Sequence, residues 1–298
     1  MKQSEDQQKV VVKSRDSLLS KMTGRRIIGR SLLRSKLAKI GAGIIIAFIL
    51  LMIFGPLVYP YSPADTGPIN SAPSLVHPFG TDYQGHDILS QLIWGTFPSM
   101  AVGVLAALGA VILGLAVGVV AGYYDRVEGV LTGIADIIMT FPALALLLLI
   151  GSLFSVTDAL IITVLILVLW PTVARSIRSQ ILVVKRMPYV EAAKMGGMSD
   201  GSIIARILVP SIATIAFGFF VLNVAASIIL VTALQFIGMG DPNSISWGSM
   251  LYWAQQFAFY AGDWWWILAP GLSVSLVTLA FAFIGFSLEE VANPRLRT

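Results

Sequence analysis

Residues 188–210 read PYVEAAKMGGMSDGSIIARILVP, a polar and charged stretch with a hydrophobic segment on either side. Pro188 suits the first turn of a helix, where its missing N–H would have no intrahelical partner. Glu191, Ala192, Ala193 and Lys194 are good helix formers, and Glu191 lies near the positive end of the helix dipole. Gly196-Gly197 stops that helix. Ser199 is placed to cap a second one, running through Ile203, Ile204, Ile207 and Leu208 to Pro210. The first helix has only about two turns, and a helix that short is marginal in water unless it packs on something. Two readings fit it: a plug for a partner's socket, or an amphipathic connector.

The surrounding composition is that of an integral membrane protein. Of 298 residues, 56% are hydrophobic and 12% charged, with mean hydropathy +0.83; a soluble domain carries about 25% charged residues. The absence of Cys excludes disulfides and thiolate metal sites. Met1 to Lys39 is charged and does not read as a secretory signal, lacking a short apolar core and small-residue cleavage site. Within it, Ile27, Ile28, Leu32, Leu33 and Leu37 alternate with Arg25, Arg26, Arg30, Arg34 and Lys36. That pattern suits a helix on an anionic membrane face and, directly before a span, a topology signal rather than a nucleic-acid site.

Requiring about 20 apolar residues per span predicts six: 38–59, 98–122, 128–154, 157–175, 210–236 and 264–286. The expected fold is an all-α membrane protein of six transmembrane helices. A basic segment, 1–37, precedes a membrane domain, 38–298, with outer loops 60–97 and 238–263 and an inner loop 176–209 between spans four and five. Charge sets the orientation. Of the 20 Lys and Arg, 11 lie before or at the start of the first span, Arg126 follows the second, six lie between Arg175 and Arg206, and two follow the sixth. With both termini cytoplasmic, all fall at or inside the inner boundary. The outer loops hold Asp65, Asp82, Asp87, Asp158, Asp241 and Asp263 and no basic residue, an acidic set expected to meet a basic docking partner.

In the first outer loop, Asp87 is placed to cap a short interfacial helix carrying Ile88, Leu89, Leu92 and Ile93. In the second, Trp247, Trp253 and Trp264–Trp266 are expected at the membrane–water interface. On the second span, Ala106, Ala110, Gly114, Gly118 and Gly122 form a ridge that lets another helix approach closely.

Asp136 is the one acid well inside a span, and Thr132 and Thr140 share its face. An intramembrane ionisable group is a functional candidate, either lining a polar passage or relaying protons; a carboxylate held by the Thr hydroxyls is the structural reading. Asn223 and Ser227 make a similar edge on the fifth span, serving either as interhelical glue or as passage lining. Pro142, Pro171 and Pro270 are expected to kink their spans. His77 and His86 lie in a loop without metal-ligand spacing, so no metal site is assigned. No Gly-Lys pair occurs, which excludes a Walker-type nucleotide loop.

Glu191-Ala192-Ala193, Gly197, Ile207 and Pro210 resemble the EAA loop of ATP-binding-cassette importer permeases, with Val209 where Leu is usual. HPFGTD at 77–82 with Gly85, Asp87 and Leu89 resembles the outer loop of the second permease subunit of oligopeptide/dipeptide importers. Ala121-Gly122-Tyr123, Asp136, Trp170 with Ala174-Arg175 and Arg178, the Ser246–Leu251 run, Pro270-Gly271 and Asn293–Arg297 fit the same subfamily. His86, Phe97, Gln235 and the 283–286 stretch depart from it and bear on substrate.

The resemblance implies a multi-pass subunit of a prokaryotic cell membrane, not itself an enzyme. A second homologous permease subunit, two cytoplasmic ATPase subunits carrying ATP and Mg, and an external substrate-binding protein would complete it. No cofactor would be bound by this chain, no nucleic acid is involved, and lipid surrounds it. Glu191, Ala192, Ala193, Lys194, Gly197, Ser199 and Pro210 would couple to an ATPase. Thr132, Asp136, Thr140, Asn223 and Ser227 are the candidate passage. His77, Gly80, Asp82, Gly85, Asp87 and Trp247 carry the outer-loop motif. Cargo would be di-/oligopeptides or oligosaccharides, or nickel as in a few relatives. The alternative from another class is a proton-coupled secondary transporter using Asp136.

Overall fold

The structure, a computed structural model, describes residues 35–292. The basic surface helix expected before residue 35 and the motif at 293–297 lie outside the described residues. Nine helices occur among them: α1 Lys36–Val58, α2 Ile88–Tyr123, α3 Asp125–Thr140, α4 Ala143–Leu153, α5 Asp158–Val184, α6 Pro188–Met195, α7 Asp200–Phe236, α8 Trp247–Ala261 and α9 Trp264–Ala292. Five are long and apolar enough to cross a membrane, or six spans result if the bent pair α3 and α4 counts as one.

The kink expected at Pro142 is borne out and is sharp enough to split the span. The third span, predicted as one stretch over 128–154, breaks at Phe141-Pro142 and bends by 80°. Pro142 cannot donate a helix bond and forces the residue before it toward extended backbone; Phe141 sits at φ −84°, ψ 131°. Elsewhere proline is absorbed. The interfacial helix predicted after Asp87 is not separate: α2 runs 36 residues through Pro98. At 1.5 Å per residue it is roughly 54 Å long, well beyond a hydrocarbon core of about 30 Å. Pro210, expected to end the helix begun after Ser199, also lies inside one, α7. A π-helical turn over Ile204–Leu208 precedes it, with the Val209 N–H bonded to the Ile204 carbonyl. The wider turn shifts bonding where the proline ring has no N–H to give. The fourth span continues to Val184 rather than 175, which places Arg175 and Arg178 within a helix.

The α2 ridge is the centre of the fold, and α2 against α5 is its most extensive interface. Ala106 and Ala110 are fully buried. A Cβ on Gly118 would lie 2.6 Å from the Ala174 carbonyl oxygen, and one on Gly114 2.6 Å from Val173 Cβ. Close backbone approach of this kind replaces the hydrophobic drive that lipid cannot supply. α7 and α9 pack along the other side, and α1 rests on α9.

The chain has two distinct ends. At one, the start of α1, the α2–α3 turn, α6 and the end of α9 gather: the Ser35 and Ser287 hydroxyls are 2.9 Å apart and Lys185 reaches Asp125 at 2.8 Å. At the other, the 60–87 loop, α8 and the start of α9 form a cap, with Tyr83 stacked on Phe257 at 4.0 Å and packed against Trp266. Trp247, expected as an interfacial anchor, is fully buried there. Its indole packs edge-on to Phe48 and its backbone N–H donates to Ser99 Oγ at 2.8 Å.

Candidate coupling, passage and cap sites

The α6 helix begins with Pro188 at its first turn and ends in a Schellman closure. Met198 N–H donates to the Ala193 carbonyl and Gly197 N–H to that of Lys194, both at 3.1 Å, with Gly197 in left-handed backbone at φ +79°. The Gly stop expected from sequence is thus built on Gly197. Ser199 occupies the cap of the next helix by backbone position only; its hydroxyl donates to Ser202 Oγ at 3.1 Å instead of accepting from an N–H. Val190 alone of the α6 residues is buried, in a cluster with Val119, Ile177, Ile181, Ile203 and Leu208. Burying one Val contributes about 2 kcal/mol, little against the ordering cost of eight residues. Glu191, Ala192 and Lys194 are exposed, and so are the large apolar Tyr189, Met195 and Met198. Beside α6 opens a groove of ≈ 730 Å³ lined by Arg126, Lys185, Arg186, Glu191, Lys194 and Asp200. Across its floor the Tyr123 hydroxyl donates to Asp200 Oδ1 at 2.6 Å.

Between α3 and α5 lies a ladder of ion pairs in which every acid is on α3 and every base is on α5 or at its C-cap, Lys185. Asp125 pairs with Lys185, Glu128 with Arg178, and Asp136 with Arg175. Among the described side chains of α3 only Ala135 is buried, so charge contributes an unusual share of what fastens this helix. The reading of Asp136 as held by its Thr neighbours is corrected: Thr132 Oγ1 donates to the Glu128 carbonyl at 2.7 Å and Thr140 Oγ1 to that of Ile137 at 2.6 Å. Asp136 is paired instead with Arg175 of the neighbouring helix. The sequence signal for this pairing is a base at the very end of the predicted fourth span, which the helix continues past to Val184. Asp136, Thr132, Arg175 and Arg178 line a cavity of ≈ 290 Å³. Ser227 is not with them. It is fully buried in the body, its hydroxyl without a hydrogen-bond partner among the described residues. Asn223 donates to the Phe219 carbonyl at 2.8 Å, within its own helix.

At the cap, the outer-loop residues converge. Asp87 caps α2 through Ser90 N–H at 2.7 Å, accepts from the Tyr59 hydroxyl at 3.1 Å, and lies 2.7 Å from His77 Nδ1. Burial, and then the Asp87 charge, push the Tyr59 hydroxyl well above the usual phenol range. Asp82 accepts from the Gln84 and His86 N–H groups at 2.8 Å, from Gln91 Nε2 at 2.8 Å, and meets His86 Nδ1 at 3.1 Å. The acidic surface expected of six outer Asp is therefore corrected: Asp82, Asp87 and Asp263 are buried, and burial holds Asp263 above the ordinary carboxylate range. The Asp82 and Asp87 carboxylates are taken up by their own segment and by Tyr59 and the start of α2, whereas Asp263 Oδ2 is buried without a hydrogen-bond partner among the described residues. Gly80 and Gly85 both have positive φ, and a Cβ on Gly85 would stand 2.3 Å from the Gly67 carbonyl oxygen. Gly85→Ala is accordingly expected to cost about 2 kcal/mol or more, read as faster limited proteolysis of the 60–87 loop; a wild-type digestion rate would refute this.

Residues 110–298 match the family of binding-protein-dependent transport system inner membrane components, and residues 25–77 match the N-terminal transmembrane domain of oligopeptide transport permease C. A dipeptide transport system permease protein of Alkalihalophilus pseudofirmus is 36% identical, the match covering 90% of this chain and 89% of that protein. A dipeptide permease of Bacillus subtilis is 31% identical over 90% and 85%, and a glutathione permease of Pectobacterium atrosepticum 29% over 90% of each. With a family match spanning more than half its length and a long apolar bundle to carry it, the chain belongs to the binding-protein-dependent importer permeases of the ATP-binding-cassette class, as a multi-pass subunit of the inner membrane.

Proposed function

We propose that this permease forms half of a peptide passage and receives the work of a cytoplasmic ATPase through α6. The observation that carries the coupling reading is α6 itself: a two-turn helix, fixed in shape by its Gly197 closure, that exposes Tyr189, Met195 and Met198 rather than burying them. Exposed apolar residues on so short a helix are what a docked partner would cover. Glu191 and Lys194 would make the polar contacts, Ala192 and Ala193 allow close approach, and Ser199 and Pro210 belong to the helix that carries motion onward. ATP and Mg would be held by two separate ATPase chains, and a homologous permease chain would complete the passage.

The basic count supports placing both termini and α6 on the cytoplasmic side, with the basic segment 1–37 on the inner leaflet and the cap facing the binding protein. The polar face of α3 and α5, with Thr132, Asp136, Thr140 and Arg175, is the proposed passage lining. Peptide cargo is favoured over oligosaccharide or nickel because the relatives are dipeptide and glutathione permeases. The test is to purify the assembled complex with its binding protein and identify the bound solute by mass spectrometry. A short peptide and a co-purifying ATPase are expected; a bound sugar or metal would overturn the substrate, and absence of an ATPase the coupling.

A further inference from the structure

A membrane-spanning chain sorts its faces by polarity, and two faces of this one differ sharply. α1 turns Ile46, Leu50, Ile53 and Leu57 outward, all exposed and all apolar. On the α3 and α5 side, Asp136 and Arg175 are each 57% exposed, accompanied by exposed Thr140, Thr172 and Ser179. Charge turned to lipid is costly, so this face meets water or another polypeptide. Asp136, Arg175 and Arg178 line the cavity, and Glu128, outside the lining, pairs with Arg178, which makes two charges of each sign. Arg178 also keeps Nε without a hydrogen-bond partner among the described residues.

A net-neutral wall with separate anionic and cationic groups suits one cargo chemistry. A neutral sugar has no charge to exchange with either group. A bare cation meets two guanidinium groups. A zwitterion carries both complements, an ammonium and a carboxylate, and can trade partners with a pre-existing ion pair without leaving any charge unpaired. That exchange is cheap in both directions, as conduction through a passage requires.

We infer that Asp136 and Arg175 are specificity-determining contacts for the free termini of a passing peptide. Arg175 donates to the cargo carboxylate while Asp136 accepts from its ammonium, and the two close on each other once cargo has left. The inference rests on the proposal that this face lines the passage and adds to it which groups of the cargo are read.

The experiment uses the whole complex in proteoliposomes with trialanine, its C-terminal amide and its N-acetyl derivative. Each is supplied at a concentration that saturates the binding protein, whose affinity is measured separately. Wild type is expected to carry trialanine about tenfold faster than either blocked form, the effect of one charge-assisted hydrogen bond. Arg175→Gln should abolish the discrimination between trialanine and its amide, slowing trialanine about tenfold more than the amide. Asp136→Asn should act in the same way on the N-acetyl comparison. Equal slowing of free and blocked peptides, or equal wild-type rates for all three, would overturn the inference. Labelling of Ser176→Cys by a membrane-impermeant thiol reagent reports separately on the passage. Failure to label would overturn the passage reading and this one with it, whereas labelling without discrimination would overturn this one alone. Binding of sugar and of no peptide would overturn both peptide cargo and the inference.

Discussion

Gly197→Asp is expected to abolish transport-coupled ATP hydrolysis while leaving the chain inserted and folded. The position has φ +79° and nothing within 4 Å of where a Cβ would stand. A side chain there would therefore not clash; it would strain the backbone by roughly 1–2 kcal/mol, too little to unfold a bundle held by α2, α5 and α7. What it opens is the closure that shapes α6, made by the Met198 and Gly197 N–H groups on Ala193 and Lys194. The new carboxylate also lies beside Met195 and Met198, which are exposed and apolar. In the docked complex that charge would be desolvated without a partner, a cost on the order of 100-fold or more in affinity. Glu191→Lys should act similarly by reversing the charge at the helix's positive end. Gly197→Ala, which adds strain without charge, should lose less. Pull-down of the ATPase and substrate-stimulated hydrolysis are the readouts, and normal stimulation in Gly197→Asp would sink the assignment of α6 as the coupling helix.

The second large effect is expected in the α3–α5 ladder. Arg178→Glu would set two carboxylates together where Glu128 and Arg178 now pair, with roughly a quarter to a third of each side chain exposed. Stranding a partly buried charge in this way costs about 3 kcal/mol. Since Ala135 is the one buried described residue of α3, little apolar packing is available to offset it, and α3 should detach before the bundle melts. The double exchange Glu128→Arg with Arg178→Glu restores opposite signs and should recover most of the loss. Thermal unfolding of the purified complex, with accessibility of a cysteine at Val130 to report on α3, gives a double-mutant cycle. Additive losses, with no recovery in the exchange, would show that the ladder is not what holds α3.

Individual residues show where sequence reading succeeds. Ala106, Ala110, Gly114, Gly118 and Gly122 were legible as a packing ridge because four-residue spacing puts small side chains on one helix face, and α5 fills that face. Asp87 was legible as a cap because its position before Ile88 fixes its partner locally. Asp136 was legible as important but not as paired. Arg175 lies 39 positions away, on another helix, and hydropathy within one span says nothing of which distant side chain meets it. Trp247 and the outer Asp residues failed for the same reason. Residue type predicts an interface or a charged surface on average, whereas burial depends on which element folds over it.

The sequence by itself determined the membrane class and the short helix from Pro188 closed by Gly197, because each rests on composition or on neighbours within a turn. Only the tertiary structure decided that Pro98 and Pro210 lie inside continuous helices, that Ser227 is enclosed, and that acids on α3 meet bases on α5 and at its C-cap. Those outcomes depend on what packs against a residue from distant parts of the chain, and local propensity carries no record of it.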